Sequence, residues 1–399
     1  MSRWNAKVKG ASPESSPERR PGLQSGQRPA PVSAGLARDL KAAMEGAQEL
    51  MKAERFDEAL KAYEAILEKH PEAVPAYVGI GNIHARSGDY NGALEYYAGA
   101  LHIQKDFPPA LIMSGNVYVK QGLLDKALEK YKEALEVNPG LNIAQLSVSR
   151  IYAKLGKFNE AIDGLNQALK HNPQLEEARL ILASIYQRMG DTDAALKELS
   201  GVVARAPDLP QAQFQYARLL VACREFKQAI DVCKKAIDAK PDSAFLHQLL
   251  GRAYRGVGEY ELALREHVKA LDINPDMQIA KVGMARANIE RGNFVDAKKL
   301  LISMTKGIKN TGLAHRLLGD ILIQEGAYPE AVAEFQAAVL HSKQLVEAHP
   351  HLLTVQAVDG DDRKTAEAYQ RAFAKIDIDS TSDFENSNAD SGNNGDYPV

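Results

Sequence analysis

Apolar and small side chains recur along this chain with a period of 34 residues. When each unit is numbered 1–34 from Leu40, they gather at positions 4, 7, 8 and 11, the spacing that lines one face of a helix. A second set follows at positions 17, 20, 24, 27 and 28, as in Tyr90, Ala93, Tyr97, Ala100 and Leu101. Between the sets, position 15 is glycine in eight of ten units, the residue that most readily ends a helix in a left-handed conformation. Position 32 is proline in six units (Pro71, Pro139, Pro173, Pro207, Pro241 and Pro275), which stops the second helix. Each unit is therefore predicted to be a helical hairpin. Position 20 makes the period strict: Ala59, Ala93, Ala127, Ala161, Ala195, Ala229, Ala263, Ala297 and Ala331 follow one another without an insertion, and Thr365 takes the tenth place. Such regularity implies stacked copies of one supersecondary unit rather than a domain with a single central core.

The units begin at 40, 74, 108, 142, 176, 210, 244, 278, 312 and 346. Small residues at 8, 20 and 27, aromatics at 11 and 24, and proline at 32 resemble the tetratricopeptide repeat (TPR) over about 335 residues. The resemblance implies an all-α fold, a right-handed α-solenoid of about ten helix-turn-helix repeats over residues 40–375. It also implies a binding surface rather than one particular activity. Unit eight departs from the pattern at Lys281, Asn288, Met304 and Lys309, which reads either as a hinge before unit nine or as drift in a tolerant repeat. Unit ten, with Pro350 in its first helix and Asp359-Gly360-Asp361-Asp362 at its turn, reads as a terminal cap.

Composition changes this picture at the two ends. Residues 1–39 hold fifteen Pro, Gly or Ser and seven bases against three acids, and are predicted to form a disordered basic arm. Residues 376–399 hold six acids and no base, and are predicted to form a disordered acidic tail. The net charge of the whole chain is −3, which leaves the repeat body close to neutral. No uncharged run has the length of a membrane span, and no secretory signal is expected. Cys223 and Cys233 do not make a disulfide framework, and Cys233 falls on a core position. A cytoplasmic location is the simplest expectation.

No phosphate-binding glycine loop, zinc-binding His-Glu-x-x-His or Cys-x-x-Cys pair is found, so no catalytic residue, metal or cofactor is expected. His349 and His351 read as solvated or packing histidines rather than as a metal pair. If positions 4, 7, 8 and 11 face the partner helix, then 2, 5, 9, 12 and 13 face away from it. The resemblance implies that these positions line the concave groove of the superhelix. They carry twelve bases against four acids. Position 9 passes from Asn82 and Asn116 to Arg150, Arg218, Arg252 and Arg286, with Lys154 and Arg188 at position 13 and Arg255 at position 12. Position 5 supplies Val78, Ile112, Leu146, Leu180 and Phe214, which read either as an apolar ligand stripe or as side chains packed on neighbouring helices.

These stripes suit a non-enzymatic scaffold or adaptor that binds an extended or helical protein segment with acidic and apolar residues. An anionic polymer such as RNA is the alternative, although the groove offers few aromatics for base stacking. The resemblance also covers TPR cochaperones that grip the C-terminal carboxylate of heat-shock chaperones. Their Lys and Asn pattern is not matched, since Val78, Met113, Ile143 and Ser147 stand at four of its positions. Self-association is left open. The acidic tail, with hydroxyls at 380–382 as candidate phosphorylation sites, reads either as a solubilising segment or as an occupant of the basic groove.

Overall fold

The computed structural model of the protein describes residues 34–374, apart from 241, 307–310, 342–348 and 356–360. The arm before residue 34, the tail after Ala374, and the Lys309 and Asp359-Gly360 positions lie outside the described residues. The described chain consists of nineteen α-helices and one 3-10 turn, with no strand among the described residues. It forms two compact units, divided between Ile185 and Tyr186.

In the first unit, α1 (Ala34–Lys52) and α2 (Phe56–Lys69) make the first hairpin. Three more follow: α3 (Val74–Ser87) with α4 (Tyr90–Ile103), α5 (Pro108–Lys120) with α6 (Leu124–Val137), and α7 (Asn142–Lys154) with α8 (Phe158–His171). Helix α9 (Glu176–Met189) contains the boundary between the units. The second unit continues with α10 (Thr192–Arg205), then α11 (Pro210–Ala222) with α12 (Phe226–Ala239), and α13 (Ala244–Gly256) with α14 (Tyr260–Ile273). It ends with α15 (Gln278–Glu290) and α16 (Phe294–Thr305), α17 (Gly312–Gln324) and α18 (Tyr328–Leu340), and finally α19 (Asp362–Ala374). Helix α1 starts at Ala34, six residues ahead of the arithmetical start of the repeat, because Ala34, Leu36, Ala37 and Arg38 are strong helix formers. In unit ten, Pro350–Thr354 is a short 3-10 turn, and Leu353 at position 8 is 64% exposed where earlier units bury that residue.

The alanine ladder is the seam of each hairpin: Ala59 through Ala331 are fully buried, and Thr365 is 2% exposed. Core clusters run from one hairpin into the first helix of the next. Tyr97, Ala93 and Ala100 of unit two share a core with Ala110 and Val117 of unit three, and Tyr131 and Ala127 of unit three share one with Ala144 and Val148. Prolines at position 32 act as expected, since α2, α6, α8, α10 and α14 each stop two residues before one. Their carbonyls are then used. Tyr77, Gln145, Arg179 and Gln213, all at position 4 of the following unit, donate to the carbonyl oxygens of Pro71, Pro139, Pro173 and Pro207. In unit eight, Asn288 is buried at position 11 and its amide donates to Met284 of its own helix.

Volume is matched between positions 8 and 24 in seven of the hairpins, unit one with Ala47 and Tyr63 being an exception. Glycines Gly81, Gly115, Gly251 and Gly319 oppose the rings of Tyr97, Tyr131, His267 and Phe335. A Cβ on Gly115 would lie 2.7 Å from the Tyr131 ring. Where position 8 is Ala183, Ala217 or Ala285, position 24 is the slimmer Leu199, Cys233 or Leu301. The turn at position 15 is equally constrained. Seven described glycines there have φ between 75° and 86°, and the two units without glycine still adopt the same region, at Glu54 (φ 57°) and Arg224 (φ 62°).

Two outcomes are expected. Helix propensity alone favours Gly115→Ala by roughly 1 kcal/mol, yet the ring contact should reverse the sign and lower stability by roughly 1–2 kcal/mol in chemical denaturation. Pairing it with Tyr131→Leu should recover part of that loss, and strictly additive effects would show that the two positions are not coupled. Arg224→Gly should raise stability by roughly 0.5–1 kcal/mol by relieving a left-handed residue that carries a Cβ.

Candidate peptide-binding groove

The first-helix positions that face away from the partner helix behave differently in the two units. In the first unit, Asn82 and Asn116 are half-buried and tied to their own repeats. The Tyr97 hydroxyl donates to Asn82 Oδ1 at 2.8 Å and the Tyr131 hydroxyl to Asn116 Oδ1 at 2.5 Å. Burial pushes both tyrosine hydroxyls above their ordinary pKa, so they remain protonated donors. The Asn116 amide nitrogen donates in addition to Met113 Sδ at 3.8 Å. Arg150 is exposed and pairs with Glu177 at position 2 of the next repeat, at 2.5 Å. Lys154 is exposed in the last turn of α7.

Position 5 does not present a ligand stripe in this unit. Val78, Ile112, Leu146 and Leu180 are no more than 8% exposed. The reason is stacking: Val78 packs with Ala110 and Val117, and Ile112 with Ala144 and Val148, all on the first helix of the following repeat. Leu180 is therefore corrected from a groove residue to a core residue, being 5% exposed. Exposed apolar side chains occur instead at position 2, where Ile143 is 63% and Phe245 of the second unit is 37% exposed. The signal was present in the sequence, since position 2 lies in the first turn, before the next repeat covers the helix.

In the second unit, Arg188 is exposed near the end of α9. Phe214 is half-buried, its ring 6.0 Å from Phe245 in an edge-on arrangement, with the Arg218 guanidinium over it at 5.9 Å. Arg252 and Arg286 are half-buried on the same register position as Arg218 in the two following repeats. Arg255 meets Glu290 at 2.5 Å. Arg316, at position 5 of unit nine, lies 4.0 Å from Asp320, and its guanidinium stands 5.3 Å from the Phe373 ring centroid. Burial lowers the pKa of Arg316 and raises that of Asp320. The face thus carries Arg218, Arg252, Arg255, Arg286 and Arg316 against Glu290 and Asp320. Arg316 is one of the twelve bases counted from the sequence on this face, whereas Phe245 was not singled out there.

Behind this face lies His267. It is fully buried between Gly251 and Gly283, and neither ring nitrogen has a hydrogen-bond partner. Burial first, then the nearby Arg255 and Arg252, push its pKa down to about 3, against a smaller opposing effect of Glu266. Glu266 itself is held below its ordinary value. Burial opposes its ionisation, but hydrogen bonds with His247 and Lys269 outweigh that cost. The same position-4 histidine to position-23 glutamate pair recurs at His315 and Glu334, 2.7 Å apart.

Other side chains tested for chemistry have structural surroundings. Cys233 is buried, and burial pushes its thiol up to about 12. His351 Nε2 bonds to the Ala372 carbonyl oxygen. Among the described residues no group of three or more His, Cys, Asp or Glu is placed to hold a metal ion, and no helix is long and apolar enough to cross a membrane.

Stacked helical hairpins joined by left-handed turns and sealed by a strict alanine ladder define a repeat-built class of interaction protein. Family models described as tetratricopeptide repeat match residues 44–108 and 309–350, and a second set matches five segments that together run from 84 to 321. The chain belongs to the tetratricopeptide repeat family, whose arrays indicate a protein–protein interaction scaffold. It is similar to YrrB, a TPR protein with an unusual peptide-binding site, at 23% identity over 47% of this chain and 96% of that one, with a TM-score of 0.39. It is also similar to a tetratricopeptide repeat protein from Parabacteroides merdae (20% identity, 63% and 99% covered, TM-score 0.47). A third likeness is to Pseudomonas aeruginosa pilF (17% identity, 54% and 98% covered, TM-score 0.46). No curated protein matches the chain.

A buried neutral histidine makes stability pH-dependent. The unfolded chain takes up a proton near pH 6.5 that the folded chain refuses until about pH 3, so stability should fall as pH drops through that window. The slope should be at most roughly 1.4 kcal/mol per pH unit. His267→Phe, which copies the ring at Phe335, should remove this component and raise stability at neutral pH. Denaturant midpoints measured at neutral and mildly acidic pH check both, and an unchanged acid slope would remove His267 as its source.

Proposed function

We propose that the chain is a non-enzymatic adaptor that binds a protein segment carrying acidic and apolar residues along its first-helix face, in the assembly or regulation of a multiprotein complex. The observation that carries this reading is the run of Arg218, Arg252 and Arg286 at one register position of three successive repeats, beside the Phe214–Phe245 pair. Guanidinium groups engage carboxylates through two parallel hydrogen bonds, and the exposed Phe245 ring offers an apolar contact next to them. Arg255 and Arg316 extend the cationic face, and Arg188 adds to it at the start of the second unit. In the first unit, Asn82 and Asn116 are suited to donate to a peptide backbone, with Arg150 and Lys154 exposed nearby. A cytoplasmic setting fits two unpaired cysteines.

RNA is the less favoured occupant. Apart from Phe214 and Phe245, positions 2, 5, 9, 12 and 13 carry no aromatic side chain on which bases could stack.

The test replaces Arg218, Arg252 and Arg286 with Glu and measures binding of labelled acidic–aromatic peptides by fluorescence anisotropy. Affinity should fall at least roughly a hundredfold, as three charge-assisted contacts become repulsive, while helical circular dichroism is retained. Undiminished peptide binding by the folded variant would sink the assignment. Sequence-independent binding of RNA with steep salt dependence, in place of peptide binding, would favour the polymer reading.

A further inference from the structure

We propose that the acidic segment following the last helix, residues 375–399, is the resident occupant of the arginine face of its own unit. The inference rests on reading that face as a groove for acidic and apolar segments.

The first observation is where the described chain ends. Helix α19 packs against α17 and α18, and α17 carries both Arg316 and Asp320. Its penultimate residue, Phe373, has the Arg316 guanidinium 5.3 Å from its ring centroid, and Gln370 Nε2 donates to Asp320 Oδ1 at 3.4 Å. The chain therefore passes into the acidic segment one residue after a contact with the arginine face.

The second observation is complementarity. Residues 375–399 contain one base, Lys375, and six acids: Asp377, Asp379, Asp383, Glu385, Asp390 and Asp396. Ile376, Ile378 and Phe384 alternate with the first four acids, which is the acidic–apolar composition the face is suited to bind. The face offers five arginines against Glu290 and Asp320. The Arg316 Nε is buried without a hydrogen-bond acceptor, its nearest carboxylate oxygen being that of Asp320 at 4.0 Å.

The third observation is reach. An extended chain advances roughly 3.5 Å per residue, so Asp377 and Asp379 come within roughly 10 and 17 Å of Ala374. The whole segment of 25 residues can span roughly 85 Å. A tether of this length holds its own carboxylates near the face at an effective concentration of roughly millimolar, so individually weak ion pairs suffice. An incoming partner must then displace the segment, which sets a threshold affinity for capture.

The experiment uses the full chain in two forms, unaltered and with Asp377→Asn, Asp379→Asn, Asp383→Asn, Glu385→Gln, Asp390→Asn and Asp396→Asn. The probe is a fluorescent synthetic peptide of residues 376–399, followed by anisotropy. The neutralised chain should bind the peptide at least roughly tenfold more tightly than the unaltered chain, because its own tether no longer competes. Adding Arg218→Glu and Arg286→Glu to the neutralised chain should abolish that binding with helical circular dichroism unchanged. Equal binding by the two chains, or no binding by the neutralised one, overturns the proposal. An unrelated acidic–aromatic peptide separates the two levels. If the neutralised chain binds that probe through Arg218 and Arg286 but not the tail peptide, the self-occupancy fails and the groove stands. If it binds neither, both fail.

Discussion

Two helices cross most closely around an aromatic ring where the opposing backbone carries no side chain, and this constraint shapes four of the repeats. A ring at position 24 presses on a glycine at position 8, as with Tyr131 on Gly115 and Phe335 on Gly319, whereas a slimmer residue at 24 is met by alanine. Unit one combines Ala47 at position 8 with Tyr63 at position 24, and there it is Gly79 of the next repeat whose missing side chain makes room for the ring. The buried alanine at position 20 is a second expression of the same close approach.

The core pair also shapes the surface beside it. Position 9 follows position 8 on the first helix, so the side chain chosen for the core at 24 decides what position 9 can meet. Where 24 is tyrosine, in units two and three, its hydroxyl reaches Asn82 or Asn116 and fixes the amide. Where 24 is Cys233, His267 or Leu301, position 9 is Arg218, Arg252 or Arg286. In units two and three the core side chain and the position-9 amide are thus coupled within a single hairpin.

What could be read from the sequence follows from the range of each interaction. The hairpin, its turn and its proline stop are encoded by residues close together in the chain, so they were legible from spacing. The left-handed turn at Glu54 and Arg224 was less so, because there the neighbouring helices impose a conformation that the residue itself disfavours. The run of arginines at position 9 was legible because the strict 34-residue period alone brings it into one register. Position 5 was not decidable from one hairpin: Val78 and Ile112 are covered by the first helix of the following repeat, and Leu180 shares their register. Position 4 left no signature, since Gln145 and Gln213 bind backbone carbonyls, and an acceptor of that kind is common to every residue type.

The position-4 side chain has a consequence for how the array holds together. In a stack whose stability is a sum of terms within repeats and terms between neighbours, this residue is an adjustable fastener. Tyr77, Gln145, Arg179 and Gln213 reach back to the preceding proline turn and so add to the joint between repeats. His247 and His315 turn inward to Glu266 and Glu334 and add to the repeat itself. One substitution type at one register position therefore shifts cohesion from the seams to the blocks. Units seven and nine are thus self-reinforced at this position, whereas units two, four, five and six are fastened there to the repeat before them.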